Sequence, residues 1–180
     1  MRQDTSDALL VVRAQLGDRG SLGELVDRWH EPLWRYVHRL LGRPGATDDV
    51  SQEAWAAVLK ALPRLREPER FAPWLFTIAR RTVLDHLRDR YGRAEVEADE
   101  TTFEAVPDEV STVLDRREVD EGLAGLPPRE RDVLVLFYLL DFPLADCAQV
   151  LQVPPGTAKS RLHRARRMLR ENLVEKGYQS

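Results

Sequence analysis

Apolar residues recur along the chain every three to four positions, which is the spacing of one face of an α-helix. No segment shows the apolar–polar alternation of a half-buried strand, and no internal repeat is visible. Glycine and proline clusters separate the periodic segments. In the first half of the chain, the pattern predicts helices over residues 6–16, 21–41, 48–62 and 71–90.

Side-chain chemistry at the predicted helix ends gives more specific expectations. Ser21 and Glu24 have the spacing of a capping box, in which each side chain accepts a backbone N–H of the other residue. Pro32 falls inside the second helix, so we expect a kink or a break there. Thr47 precedes two acids in a first turn, and it is expected to cap the third helix.

Two of these helices have clearly different faces. In the third, Val50, Ala54, Val58 and Leu62 form the predicted buried stripe, and Asp49, Gln52, Glu53 and Lys60 lie opposite. In the fourth, the predicted packing stripe is Phe71, Trp74, Leu75, Ile78, Ala79 and Thr82, and Trp74 is assigned mainly to the core. Another face of that helix groups Thr77, Arg81 and Arg88, with Arg80 beside them.

The second half begins with a nearly continuous apolar run, Val133 to Leu140, that is broken at residues 141–143. A short helix over 144–151 and a tight Pro-Pro-Gly connection follow. The last helix is expected to begin at Gly156 and Thr157, with Thr157 as its cap. Its packing stripe is Ala158, Leu162, Ala165, Leu169 and Leu173. Two helices joined by such a turn predict a helix-turn-helix.

The last helix is strongly basic, with six lysines and arginines and no acid between Lys159 and Arg170. Such a run is often only a solvated surface. The short helix and turn in front of it instead favour a DNA-recognition helix.

Charge is distributed unevenly along the 180 residues, whose formal net charge is −3. Residues 93–121 contain eleven acids and three bases, a net charge of −8, so the remainder of the chain carries +5. This segment also loses the helical periodicity, and we interpret it as a flexible acidic linker, with one helical turn near its end.

Several classes of protein lack support in the sequence. Cys147 is the only cysteine, which excludes an intrachain disulfide and a cysteine-rich metal site. The four histidines are scattered, and no phosphate loop or nucleophile motif is present, so neither an enzyme nor a cofactor-binding or metal-binding protein is expected. We find no membrane segment and no signal peptide, which favours a cytoplasmic protein.

Four sequence motifs stand in the predicted helices. They are DDVSQEAW at 48–55, FAPWLFTIAR at 71–80 with DHLR at 85–88, LPPRERDVL at 126–134, and GTAKSRLHRAR at 156–166. Together they resemble the extracytoplasmic-function group of bacterial sigma-70 factors, and their order and spacing match that family over nearly the whole chain.

The resemblance implies an all-α protein with two small helical domains. Residues 1–92 would form the region 2 domain, which docks on the β′ subunit of core RNA polymerase and holds the melted −10 element. Residues 122–180 would form the region 4 helix-turn-helix domain, which sits on the β flap and reads the −35 element. The acidic linker, 93–121, would join them. The implied function is promoter-specific transcription initiation as an alternative sigma factor, without catalysis.

The same resemblance assigns residues to three contacts. The polymerase-facing residues would be Asp48, Asp49, Gln52 and Glu53. The −10 contacts would be Arg70, Thr77, Arg80, Arg81 and Arg88. The −35 contacts would be Lys159, Ser160, Arg161, His163, Arg164 and Arg167.

The chain departs from the family pattern at a few positions. Arg81 stands where most members have asparagine, and Pro155 and Ala158 replace commoner residues. Residues 142–148 are plainer than the corresponding family segment, which usually shows an aromatic residue and several acids. Many members bind an anti-sigma factor, and the resemblance allows such a partner here, although no residue identifies it.

Two other functions remain open at this point. The second half could belong to an autonomous helix-turn-helix regulator, which would not need the exposed face of Asp49, Gln52 and Glu53. The chain could also be a helical adaptor, which would not need so basic a final helix.

Overall fold

The computed structural model describes residues 3–41, 44–91 and 122–175. These residues form helices and turns and no strand, which confirms the all-α prediction. The chain divides into two compact units, Met1–Arg90 and Tyr91–Ser180. The predicted linker lies outside the described residues, so the linker and its domain boundaries stay predictions. Within the described ranges, no helix is long and apolar enough to cross a membrane.

The first unit contains four α-helices among its described residues. They are α1 (Gln3–Gln15), α2 (Arg19–Leu41), α3 (Thr47–Ala61) and α4 (Phe71–Tyr91). Single 3-10 turns at Pro44–Ala46, Leu62–Arg64 and Pro68–Arg70 connect them.

Aromatic side chains of α2 and α4 form the centre of this unit. Tyr36 meets Phe76 edge to face with ring centroids 5.2 Å apart, and Trp29 contacts Phe71 and Phe76 in the same manner. The predicted stripe of α3, Val50, Ala54, Val58 and Leu62, is buried as expected. This packing turns the opposite face of α3 to solvent.

Polar side chains fasten α1 to the rest of the unit. The buried Asp7 carboxylate accepts a hydrogen bond from Arg28 at 2.5 Å and another from the Trp29 indole at 3.1 Å. At the other end of α1, the Gln15 amide donates to the carbonyls of Leu62 and Leu65. The loop before α4 is therefore held by α1.

The predicted capping box at Ser21 and Glu24 is wrong. Helix α2 begins two residues earlier, at Arg19, and Asp18 is the capping residue: its carboxylate accepts the Gly20 N–H at 3.0 Å and the Ser21 hydroxyl at 2.7 Å. These bonds lower the pKa of Asp18. Glu24 instead forms an ion pair with Arg28, one turn further on.

Two other local expectations are changed by the structure. Helix α2 continues through Pro32 to Leu41, so a break there is wrong, whereas a kink stays a prediction. Thr47 is the first residue of α3 and not its cap, because Ala46 holds the cap position without a side-chain bond. The buried Thr47 hydroxyl lies 3.3 Å from the ring of His38 on α2 instead.

The buried face of α4 is rotated relative to the predicted stripe. Phe71, Leu75 and Ala79 are buried as expected, together with Phe76 and Val83, which the prediction omitted. Trp74 is only half-buried, and Ile78 and Thr82 are too. The core thus uses the side of α4 that faces Tyr36.

The second unit is a small helical bundle. Residues 122–124 are helical, and α5 (Pro128–Leu134) passes into a π-helical turn at Val135–Leu139. Helices α6 (Leu144–Leu151) and α7 (Pro155–Glu175) follow. The predicted cap at Thr157 is wrong, since α7 already begins at Pro155, where a proline fits a first helical turn.

Candidate nucleic-acid and polymerase interfaces

The second unit contains the predicted helix-turn-helix. Helix α6 ends at Leu151, and the capping residue after it, Gln152, adopts the left-handed conformation with φ of 56°. The Val153 N–H bonds back to the Ala148 carbonyl at 3.1 Å, which closes the end of α6 and redirects the chain. Helix α7 begins at Pro155, three residues after Gln152. A tight turn of this type sets a fixed angle between two helices.

Helix α7 packs through one stripe on α5 and α6. Ala158, Leu162 and Ala165 are buried, and Leu173 continues the stripe toward the C-terminus, as predicted. Leu169 is half-buried. The remaining surface of α7 is mostly cationic. Because the apolar stripe packs in the core, it fixes the position of the helix that carries these cations.

The predicted −35 residues differ in how freely they can approach DNA. Lys159 and Arg167 are exposed, whereas Ser160, Arg161, His163 and Arg164 are half-buried. The Ser160 hydroxyl donates to the Thr157 carbonyl at 3.0 Å, and Arg167 lies 3.8 Å from Glu171. The helix therefore presents several cations on one side.

Arg164 has a structural partner that the sequence did not suggest. Its guanidinium donates to the carboxylate of Glu130 on α5, and the Glu130 side chain is only 3% exposed. Charged side chains at such depth need a partner, because their desolvation is costly. The pair joins the recognition helix to α5 and orients Arg164.

Arg131 is a second charged residue with an unexpected place. It is buried and donates to the carbonyls of Leu123, Ala124 and Leu126, each at 2.9 Å. These carbonyls lie where the preceding helical residues end, so Arg131 supplies the donors that a helix end lacks. Burial lowers the pKa of its guanidinium.

The π-helical turn exposes an aromatic patch. Tyr138 is 48% exposed, and the Arg166 guanidinium lies over the rings of Phe137 and Tyr138, 5.6 Å and 5.3 Å from their centroids. An apolar run as continuous as Val133 to Leu140 predicts a helix that is central to a small bundle. The π turn contains one extra residue, which instead shifts the end of this apolar run to the surface.

In the first unit, α4 shows the predicted polar face. Arg81 is 85% exposed and Arg88 39% exposed, and both lie beside Asp85. The Thr77 hydroxyl donates to the Pro73 carbonyl at 2.7 Å, so its oxygen points along the helix. Arg80 and Arg70 are half-buried, Arg70 in the 3-10 turn before α4.

The predicted polymerase-facing residues share the outer surface of α3. Asp48, Asp49, Gln52 and Glu53 are all exposed. The Trp34 indole donates to the Asp48 carboxylate at 2.7 Å and stacks on His38 with ring centroids 5.0 Å apart. An acidic face backed by a rigid core is suited to a basic partner surface.

No small-molecule chemistry is evident in the part of the chain that the structure describes. Within those residues, no group of three histidine, cysteine or acidic side chains could hold a metal ion. Burial, with Asp146 and Asp132 nearby, raises the pKa of the Cys147 thiol to about 12. The neutral thiol lies in the core, as predicted.

Comparison with known proteins matches both units to one family. Residues 25–93 match the model of sigma-70 region 2, and residues 116–169 match that of sigma-70 region 4. SigL of Mycobacterium tuberculosis, an ECF RNA polymerase sigma factor, is 36% identical over 157 residues that cover 85% of this chain and 89% of SigL. The chain belongs to the ECF RNA polymerase sigma factors. The prediction drawn from the four motifs is confirmed.

SigW and CnrH extend over almost the same length as this chain. SigW of Bacillus subtilis is 27% identical over 176 residues, which cover 91% of this chain and 94% of SigW. Among solved structures, CnrH in complex with the cytosolic domain of CnrY superposes with a TM-score of 0.70 at 28% identity, covering 94% of this chain and 97% of CnrH. This ECF sigma factor is thus a transcription initiation factor and not an enzyme.

Proposed function

We propose that this sigma factor docks on core RNA polymerase through α3 and brings it to promoters that it contacts with both units. The observation that carries the proposal is the outer face of α3, where Asp49, Gln52 and Glu53 are exposed opposite a fully buried stripe. A regulator acting without polymerase has no use for such a face. The face would meet basic residues of the β′ subunit.

In this proposal, α4 and the turn before it hold the −10 strand. Arg70, Arg80, Arg81 and Arg88 supply positive charge for the phosphates of an unwound strand, and Thr77 lies on the same helix. Positive charge along a groove binds single-stranded DNA without depending on sequence, so the base contacts must add the specificity.

Helix α7 is proposed to enter the major groove at the −35 element. Lys159, Arg161 and Arg167 can contact phosphates or bases, and Ser160 and His163 can form hydrogen bonds to base edges. Arg164 approaches the DNA from its pair with Glu130, which fixes its direction. The second unit would sit on the β flap, as the family resemblance implies.

The same proposal includes the arrangement and the setting of the protein. Residues 1–92 form the region 2 domain, 93–121 a flexible acidic linker and 122–180 the region 4 domain. Because the protein would act on RNA polymerase, the proposal also includes a cytoplasmic location. Because CnrH was solved with the cytosolic domain of CnrY, we extend the proposal to an anti-sigma partner for this chain.

Charge reversal at Glu53 tests the docking face. The Glu53→Lys substitution should weaken binding of the full chain to core RNA polymerase by about tenfold or more, because like charges would meet at the interface. Asp27→Lys is the matched control, since Asp27 is exposed on α2 of the same unit and the charge change is equal. Equal affinities of the two variants for core would remove Glu53 from the interface.

A further inference from the structure

One acidic side chain lies within the cationic face of α4. Thr77, Arg81, Asp85 and Arg88 follow each other at intervals of three or four residues, so they form a single stripe. The Asp85 carboxylate accepts a hydrogen bond from Arg88 at 3.0 Å, and its other oxygen lies 3.9 Å from the Nε of Arg81. One carboxylate is therefore paired with two arginines of the proposed strand-binding face.

The fold has little need of these ion pairs. The side chains of Arg81, Asp85 and Arg88 are 85%, 56% and 39% exposed. Pairs with this exposure contribute little to stability, because water and salt screen them. A carboxylate among phosphate-binding arginines does, however, oppose every phosphate that approaches.

We propose that Asp85 restrains Arg81 and Arg88 and thereby limits binding of single-stranded DNA of arbitrary sequence. The inference rests on the proposed function of α4 as the strand-binding face. A phosphate must displace a carboxylate oxygen from each guanidinium, which lowers the gain from backbone contacts alone. A strand with matching bases adds contacts that offset this loss, and specificity is the difference between the two affinities.

Arg81 gives the restraint a particular importance in this chain. Its side chain is the most exposed of the three, and it adds a positive charge to this face beyond that of Arg88. An added arginine on a nucleic-acid face raises affinity for all sequences alike. The neighbouring Asp85 counteracts this increase at the same place.

The Asp85→Asn substitution removes the restraint while it keeps the shape of the side chain. An exposed ion pair changes an equilibrium by up to about fivefold, so loss of two pairs should tighten binding of the full chain about threefold to tenfold. The probe is a fluorescein-labelled thymidine 20-mer, followed by fluorescence anisotropy at about 50 mM NaCl. The gain should shrink toward nothing at about 300 mM NaCl, where ions screen the carboxylate.

Asp89→Asn is the matched control. Asp89 is exposed on the same helix, the substitution removes the same charge, and Asp89 forms an ion pair with neither Arg81 nor Arg88. The inference requires that Asp85→Asn tighten binding clearly more than Asp89→Asn. It also requires that the extra gain disappear when Arg81 and Arg88 are both replaced by alanine.

Two results would overturn the inference. The first leaves the proposed strand-binding role of α4 intact, and the second does not. If Arg81→Ala and Arg88→Ala weaken binding of the 20-mer but the two asparagine variants bind it equally, Asp85 imposes no restraint and α4 keeps its proposed role. If neither alanine variant weakens binding, the strand-binding role of α4 fails, and the inference fails with it.

Discussion

Replacing Arg164 by alanine leaves the Glu130 carboxylate without its partner. Glu130 is 3% exposed, so its carboxylate cannot reach water unless the bundle opens. The Arg164 side chain is long and 20% exposed, so its guanidinium could turn to solvent if Glu130 were changed instead. Loss of Arg164 should therefore destabilise the second unit more than loss of the Glu130 carboxylate.

The expected costs follow from this difference in burial. Removing one partner of a buried ion pair typically costs about 3–5 kcal/mol, and the partial exposure of Arg164 places the Arg164→Ala variant near 3 kcal/mol, or about 10 °C or more in melting temperature. Glu130→Gln keeps the volume and an acceptor, so we expect about 1–2 kcal/mol. Because residues 122–175 should be stable by only about 3–8 kcal/mol, the alanine variant should lose much of that margin.

The assay can follow each unit separately in the full chain. All four tryptophans, Trp29, Trp34, Trp55 and Trp74, lie in the first unit, so their fluorescence reports only on that unit. Hydrogen exchange measured by mass spectrometry reports on residues 122–175. Arg164→Ala should lower protection in the second unit and leave the tryptophan transition unchanged.

Arg167→Ala provides the control for removing an arginine from α7. Arg167 is 57% exposed and lies beside Glu171, which is 63% exposed, so loss of the arginine should change stability by less than about 0.5 kcal/mol. If Arg164→Ala and Arg167→Ala reduce protection equally, or if Glu130→Gln is the more damaging variant, the account of this ion pair is wrong.

Three other predictions concern single side chains. Because burial holds the pKa of Cys147 at about 12, iodoacetamide at pH 8 should modify the native chain at least about a hundredfold more slowly than the chain in urea; equal rates would show that the thiol is accessible. The hydrogen bonds to Asp18 lower its pKa below 3.8, so its contribution to stability is present above that pH and is lost as the pH falls through the folded-state pKa. The urea midpoints of wild type and Asp18→Ala, followed by tryptophan fluorescence, should therefore converge in acid, and a constant difference would contradict the capping role. Lys159→Ala should weaken holoenzyme binding to promoter duplex of any sequence and reduce the slope of log K against log salt by about 0.9, whereas an unchanged slope would exclude a phosphate contact.

Apolar periodicity was sufficient to locate the helices and several of their buried faces. Helix α6 spans residues 144–151 as predicted, and α3 buries Val50, Ala54 and Val58. Burial of apolar surface stabilises these helices and their buried faces. It favours apolar residues at every third or fourth position of a helix, whichever helices pack against it. The exposed face of α3, which carries Asp49, Gln52 and Glu53, could therefore be predicted as well.

Helix ends were predicted less well, because local sequence offered competing solutions. Asp18 and Ser21 are both good capping residues and lie three positions apart. The structure uses Asp18 as the cap and Ser21 as its donor, an outcome that depends on where α1 ends. The same applies to Thr47, whose hydroxyl lies beside His38 of another helix.

Long charged side chains account for what the sequence reading missed. On a helical projection, Arg164 lies opposite the packing stripe of α7, yet its guanidinium reaches the buried Glu130. Arg131 stands in a run of charges that reads as a solvated helix start, and it is buried against three carbonyls. Contacts of this kind depend on tertiary packing, which the periodicity of apolar residues does not describe.

Transcription reconstituted from purified components tests the central claim most directly. The full chain, core RNA polymerase and a fragment library of the source genome should yield run-off transcripts from discrete start sites, and core polymerase alone should yield none of them. The account predicts that these start sites share one −10 and one −35 element at fixed spacing. It would be contradicted if the chain failed to bind core polymerase while binding a specific duplex tightly by itself.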